Sequence, residues 1–170
     1  MGHRGHRDGD ARTVSLAVLT ISDTRTEATD ESGALIRRLC AQAGHTVAAW
    51  RIVADEPGLV RAALADLLER PGVQGVLVNG GTGISPRDRT FEAIAGMMDR
   101  RIEGFGELFR ALSYQEIGAA AMLSRAVAGL ISGVPVFSMP GSPEAVRLAM
   151  ETLILPGIGH VVAEAAKKPS

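Results

Sequence analysis

Residues 14–21, Val-Ser-Leu-Ala-Val-Leu-Thr-Ile, form a β-rich run that is mostly apolar and lacks the alternation of a half-solvated strand, so a fold that contains it must cover it on both faces. The downstream pattern supplies helices to do so. After the polar break Ser22-Asp23-Thr24-Arg25, Asp30 or Ser32 can cap a helix reaching about Ala43, with Leu35, Ile36, Leu39 and Cys40 on one face and Gly44 as its stop. A second strand over 46–53 leads into Ala54-Asp55-Glu56-Pro57, where Asp55 can cap a helix that Pro57 helps to start. Leu59, Ala63, Leu64, Leu67 and Leu68 give that helix its apolar stripe, Pro71-Gly72 ends it, and a third strand follows over 73–78. Strand and helix in alternation predict a mostly parallel sheet with right-handed crossovers, an α/β fold.

The second half is less regular. A helix is expected over about 90–98, then an interruption at Glu103-Gly104-Phe105-Gly106-Glu107 and an irregular helical stretch to Met122. Two apolar runs, 125–131 and 134–139, flank Ser132-Gly133 and predict neighbouring antiparallel strands. Pro140-Gly141-Ser142-Pro143-Glu144 opens the last helix, with Ser142 as cap and Pro143 in the first helical position. The 170 residues are enough for one domain with a substantial core; with 46% hydrophobic but 4% aromatic residues, that core is aliphatic and Ala-rich. The reading is a disordered arm over 1–12, a single domain over 13–166 and a short tail over 167–170.

Charge and cysteine content exclude several function classes. Eighteen basic against nineteen acidic residues leave a net charge of −1, which makes no electrostatic case for nucleic acid. Cys40 has no partner for a disulfide or a cysteine metal site, as expected of a reducing interior. His3 and His6 lie in the polar arm without a third ligand and are expected to be solvated. The arm is no secretory signal, and no uninterrupted apolar stretch nears the roughly 20 residues of a membrane span, so a cytoplasmic protein is expected.

Chemistry concentrates in Asn79-Gly80-Gly81-Thr82-Gly83-Ile84-Ser85-Pro86-Arg87-Asp88-Arg89-Thr90, directly after the third strand. Glycines let successive backbone N–H groups close on an anion with no Cβ in the way. A carboxylate in such a loop is suited to holding a cation or orienting a polar group. The run matches neither G-x-G-x-x-G nor a P-loop, and an ordinary strand-reversing turn remains the alternative. The carboxyl ends of the strands bring this loop to one rim with Ser22, Asp23 and Arg25, with Asp55, and with Pro140-Gly141-Ser142, where open α/β sheets bind ligands. Each residue also has a plainer reading. Asp55 and Asp88 can be helix caps, Arg87 and Arg89 solvated charges, and Glu103 and Glu107 members of a polar turn; Ser142 can cap a helix and face a phosphate at once.

These residues carry a resemblance to a known family. Leu19-Thr20-Ile21-Ser22-Asp23, Asp55-Glu56, Gly80-Gly81-Thr82-Gly83 with Arg87-Asp88 and Thr90, Glu103-Gly104-Phe105-Gly106-Glu107, Ser124-Arg125-Ala126 and Met139-Pro140-Gly141-Ser142 together resemble the MogA/MoaB proteins of molybdenum cofactor biosynthesis, over about residues 13–160. The segment 103–110 is closer to the MoaB branch. The resemblance implies a three-layer α/β/α sandwich and, in active members, Mg²⁺-dependent transfer of AMP from ATP to the terminal phosphate of molybdopterin, with release of pyrophosphate. It assigns Asp55 and Asp88 to Mg²⁺ and catalysis. Ser22, Gly80, Gly81, Thr82, Gly83, Arg87, Pro140, Gly141 and Ser142 would hold the phosphates of molybdopterin and nucleotide. It further implies a homotrimer or homohexamer, hand-over of product to a molybdenum-insertion protein, no nucleic acid and no membrane. Two other functions stay open: a catalytically silent molybdopterin-binding protein, and a nucleotide-pyrophosphate hydrolase of the kind related to CinA.

Overall fold

The computed structural model describes residues 12–167; the expectations for the arm and its histidines, and for the end of the tail, lie outside the described residues. Strands β1 (Ser15–Ile21), β2 (Thr46–Val53), β3 (Gly75–Asn79), β4 (Arg100–Arg101), β5 (Val127–Ile131) and β6 (Val134–Met139) form one sheet in the order β2-β1-β3-β6-β5-β4. The pairs β1/β2, β1/β3 and β3/β6 are parallel, whereas β5/β6 and β4/β5 are antiparallel. Helices α1 (Glu31–Gln42), α2 (Pro57–Glu69), α3 (Thr90–Met97), α4 (Glu103–Ile117), α5 (Pro143–Ala149) and α6 (Leu155–Ala165) cover the two faces.

The alternation along β1 explains the three layers. Leu16 and Val18 point to one face, where Ile36 of α1, Phe109 of α4, Val146 of α5 and Ile158 of α6 join Leu77 and Phe137. Ala17, Leu19 and Ile21 point to the other, against Val60, Leu64 and Leu67 of α2 and Ile94 of α3. Cys40 is fully buried in the first of these clusters, and burial pushes its thiol up to about 12. The stretch Pro143–Ala165, α5 and α6 joined by a π turn at Met150–Ile154, is long and apolar enough by composition alone to cross a membrane. It is interrupted by Arg147 and Glu151, and its Val146, Met150, Ile154 and Ile158 are inside the core, so it reads as a core helix.

Several local expectations are corrected. Glu56, not Asp55, caps α2, its carboxylate accepting from the Gly58 and Leu59 N–H groups at 3.0 and 2.7 Å. Asp88 does not cap α3, whose N-cap position is Arg89 with no side-chain bond. The segment 103–107 is no interruption but the first turns of α4: Phe105 and Phe109, four residues apart, share its buried face, and Phe105 meets Phe137 edge-on at 5.3 Å. Tertiary packing overrides the poor helix propensity of Gly104 and Gly106, and Gly106 has its own reason, since a Cβ there would stand 2.6 Å from the Ala126 carbonyl. Finally, Arg100–Arg101 forms a short edge strand where none is expected, while β3 and β5 each begin two residues later than their apolar runs.

Candidate functional site

The connection from β1 runs to β2 on one side, and the chain after β3 continues to the other, so the winding reverses between β1 and β3. The carboxyl ends of these strands define the crevice at which open α/β sheets bind ligands. Gly80 leaves β3 with φ +94°, and a Cβ there would stand 2.2 Å from the Ile21 carbonyl oxygen. Gly141, after β6, sits over it: its own Cβ would be 3.1 Å from the Gly80 Cα. Three strand ends therefore converge to backbone contact, which side chains at Gly80 and Gly141 would prevent.

One wall of the crevice is held from inside. Asp30, the cap of α1, is 2% exposed and accepts hydrogen bonds from Thr20 Oγ1 at 2.6 Å, Trp50 Nε1 at 3.1 Å and the Gly33 N–H at 2.9 Å. Thr20 in turn accepts from Asn79 Nδ2 at 2.9 Å. Because the Thr20 hydroxyl hydrogen goes to Asp30, Asn79 must present its amide nitrogen, and its Oδ1 is left buried with no partner among the described residues. Arg25 lies 3.7 Å from the Asp30 carboxylate, and its Nη2 donates to the Gly141 carbonyl at 2.8 Å, where Ser32 Oγ also donates at 2.6 Å. Ser22 Oγ accepts from the Thr24 and Arg25 N–H groups and so shapes the turn itself. Ser142 caps α5 through the Ala145 N–H at 3.2 Å, as expected.

The two aspartates sit on the opposite wall. Asp55 Oδ1 accepts from Thr90 Oγ1 at 2.5 Å, and the Asp55 N–H donates to Asp23 Oδ1 at 2.9 Å, which ties the β1 and β2 loops to the start of α3. Asp88 turns back into its own loop: Oδ2 accepts from Ser85 Oγ at 2.5 Å and from the Ser85 N–H at 2.8 Å. These bonds, ahead of the nearby Arg87 and Arg125 charges, hold the Asp88 carboxyl below its usual range. Backbone bonds from Gly58 and Leu59 do the same for Glu56. Asp55 Oδ2 and Asp88 Oδ1 keep no hydrogen-bond partner among the described residues, so each aspartate has one hard oxygen to offer a cation. No group of three His, Cys, Asp or Glu side chains suited to a metal occurs among the described residues. Mg²⁺ commonly takes one or two carboxylates and completes its shell with water and phosphate, so the donor set fits such an ion.

Arg87 is exposed with no ion pair among the described residues, and Glu103 and Glu107 are exposed on α4. The residue that the pattern of loops and motifs left without a role is Arg125, just before β5. Its Nε donates to the Thr82 carbonyl at 3.4 Å and its Nη2 to the Asp88 carbonyl at 3.0 Å and to the Gly83 carbonyl. Its Nη1 pairs with Glu92, and its guanidinium lies 4.5 Å over the Phe91 ring. Its signals in the sequence are its place at the head of an apolar strand and its membership of Ser124-Arg125-Ala126, a segment that carries the family resemblance without giving the arginine a role. A cavity of about 330 Å³ on its other side is lined by Phe91, Arg101, Glu103, Arg110 and Ser124.

Residues 17–160 match the family described as a probable molybdopterin binding domain. The chain is 50% identical over 163 residues to molybdenum cofactor biosynthesis protein B of Halalkalibacterium halodurans, spanning 95% of this chain and 96% of that one. It is 48% identical to the protein of the same name from Bacillus subtilis, over 98% and 99% of the two chains. Among solved structures, a molybdenum cofactor biosynthesis protein B superposes with a TM-score of 0.90 at 50% identity, covering 93% of this chain and 99% of that chain. The tungsten cofactor synthesizing protein MoaB from Pyrococcus furiosus superposes with a TM-score of 0.83 at 37% identity, over 92% and 99%. With the glycine-rich loop at the sheet's switch point and near-complete coverage by these relatives, the chain belongs to the MoaB family of molybdenum cofactor biosynthesis proteins.

Proposed function

We propose that the protein transfers AMP from ATP to the terminal phosphate of molybdopterin, and that Asp55 and Asp88 would hold the Mg²⁺ this transfer uses. The observation that carries this reading is the pairing of a glycine-rich loop at the switch point with two aspartates on the same wall, each with an uncommitted oxygen. A phosphate oxygen of molybdopterin attacks the α-phosphorus of ATP, a P–O bond forms there, and the bond to the β-phosphate breaks to release pyrophosphate. The attacking phosphate needs no deprotonation, so no general base is required. Mg²⁺, when bound, offsets the mutual repulsion of the phosphates. The protein's own part is to position: backbone N–H groups of the Gly80–Gly83 loop and Ser142 at the start of α5 receive phosphate oxygens, while Asp55 and Asp88 orient the cation. Arg87, exposed at the loop, is free to pair with a phosphate of the bound nucleotide.

The test is to incubate purified protein with molybdopterin, Mg²⁺ and α-labelled ATP and to follow adenylylated product and pyrophosphate. Product in excess of enzyme is expected, and Asp88→Asn should lower turnover at least about a hundredfold, roughly 2.7 kcal/mol, without unfolding the protein. A second reading, a molybdopterin-binding protein without turnover, is favoured by Asp88, whose Oδ2 is already engaged by Ser85. It requires pterin binding with no labelled product. The same proposal includes a homotrimer or homohexamer and hand-over to a molybdenum-insertion protein. The exposed Leu108, Tyr114 and Ile117 of α4 support an assembling surface.

A further inference from the structure

We propose that Arg125 is the positioning residue that presets the glycine-rich loop as an anion cradle, and that it acts through the loop's carbonyls rather than by touching the anion. This rests on the phosphate-binding reading of that loop. A guanidinium has five N–H donors. Four of them are already committed to the carbonyls of Thr82, Gly83 and Asp88 and to Glu92, and the Phe91 ring covers one face of the guanidinium plane. Little is left of Arg125 to greet a phosphate, and its charge is partly neutralised by Glu92.

What it does to the loop follows from peptide geometry. In a trans peptide the C=O and the next N–H point in opposite directions, and the chain has no cis bond among the described residues. With the Thr82 and Gly83 carbonyls drawn onto Arg125, the N–H groups of Gly83 and Ile84 point away from it. The N–H groups of Gly81, Thr82, Gly83 and Ile84 donate to no acceptor among the described residues, although those of Gly80, Ser85, Asp88 and Arg89 all do. Four consecutive unspent donors, with neighbouring carbonyl oxygens turned aside, is the arrangement a phosphate needs. Without Arg125 the Thr82 and Gly83 peptides are free to rotate, and a rotated peptide would present its oxygen to the anion.

Charge and geometry are separated by Arg125→Lys, which keeps the cation but cannot reach three carbonyls at once. Pyrophosphate binding by calorimetry is expected to weaken at least about tenfold in that variant. Amide hydrogen exchange should quicken at Ser85 and Asp88, whose N–H groups are bonded within the loop, and stay unchanged in β5 and β6. Unaltered pyrophosphate affinity in Arg125→Lys, or failure of the unsubstituted protein to bind pyrophosphate, would overturn the proposal. Faster exchange spread evenly over the sheet would overturn it too, by making Arg125 a general stabiliser. The transferase assay is a separate readout. If the unsubstituted protein binds pyrophosphate and Arg125→Lys loses it while neither forms product, the transferase reading fails and the role of Arg125 stands.

Discussion

The two walls of the crevice are fastened in opposite ways. On the β1/β6 side, Asp30 sits beneath the surface and gathers Thr20, Trp50 and the Gly33 N–H, with Arg25 and Ser32 carrying the network up to the Gly141 carbonyl. On the β3 side, the loop from Gly81 to Asp88 is held by one arginine just before β5 and by a bond between its own Ser85 and Asp88. Bonds made in a buried site are protected from competition with water, whereas those near the surface are exchanged with it at little cost. The first wall is thus fixed from beneath the surface, and the second is preset by bonds that lie within reach of water.

The sharpest way to break this contrast is to remove the buried anchor. Asp30→Ala leaves the Thr20 hydroxyl, the Trp50 N–H and the Gly33 N–H without their acceptor and should cost about 3 kcal/mol in urea unfolding. A loss under about 1 kcal/mol would mean that the two walls are fastened alike. Acid should act on the second wall. Since the Asp88 carboxyl is held below the ordinary value of about 3.9, its bonds to Ser85 contribute fully above that pH and are lost as pH falls through the lower, folded-state value. The Ser85 amide resonance is expected to titrate with a midpoint below about 3.9, and a midpoint at or above it would remove Asp88 from the account of that loop. The smallest effect belongs to Glu92→Gln, which removes an exposed partner of Arg125 but leaves the three carbonyls; a change within about 0.5 kcal/mol is expected in thermal unfolding. A larger loss would show that Arg125 depends on Glu92 to hold its place.

How much of this was legible in the sequence varied with the range of the interaction. The central strands were readable because β1 is apolar on both faces, and the hairpin because Ser132-Gly133 separates two apolar runs and adopts positive φ at both residues. The convergence of the Ser22, Asp55, Gly80 and Ser142 loops followed from the parallel topology. The cap of α2 is displaced by one residue because a carboxylate at 55 and one at 56 look equally able to cap, and the turn geometry selects Glu56. The start of α4 was missed because Gly104 and Gly106 argue against helix locally, while the packing of Phe105 on Phe137 that decides the matter spans 32 positions, 137 − 105. Arg125 is the same problem at longer range, since its carbonyl partners lie about forty residues earlier and a bond to a backbone oxygen leaves no mark on residue type.

The solitary cysteine has a practical consequence. Cys40 is enclosed between α1 and the sheet, and its thiol ionises only near pH 12, so at neutral pH the folded protein offers almost no thiolate to an alkylating reagent or a peroxide. In the unfolded chain the same thiol reacts normally. Labelling of this one atom is therefore a built-in clock: with reagent in excess, its rate reads how often the α1 side of the molecule opens, without any engineered probe.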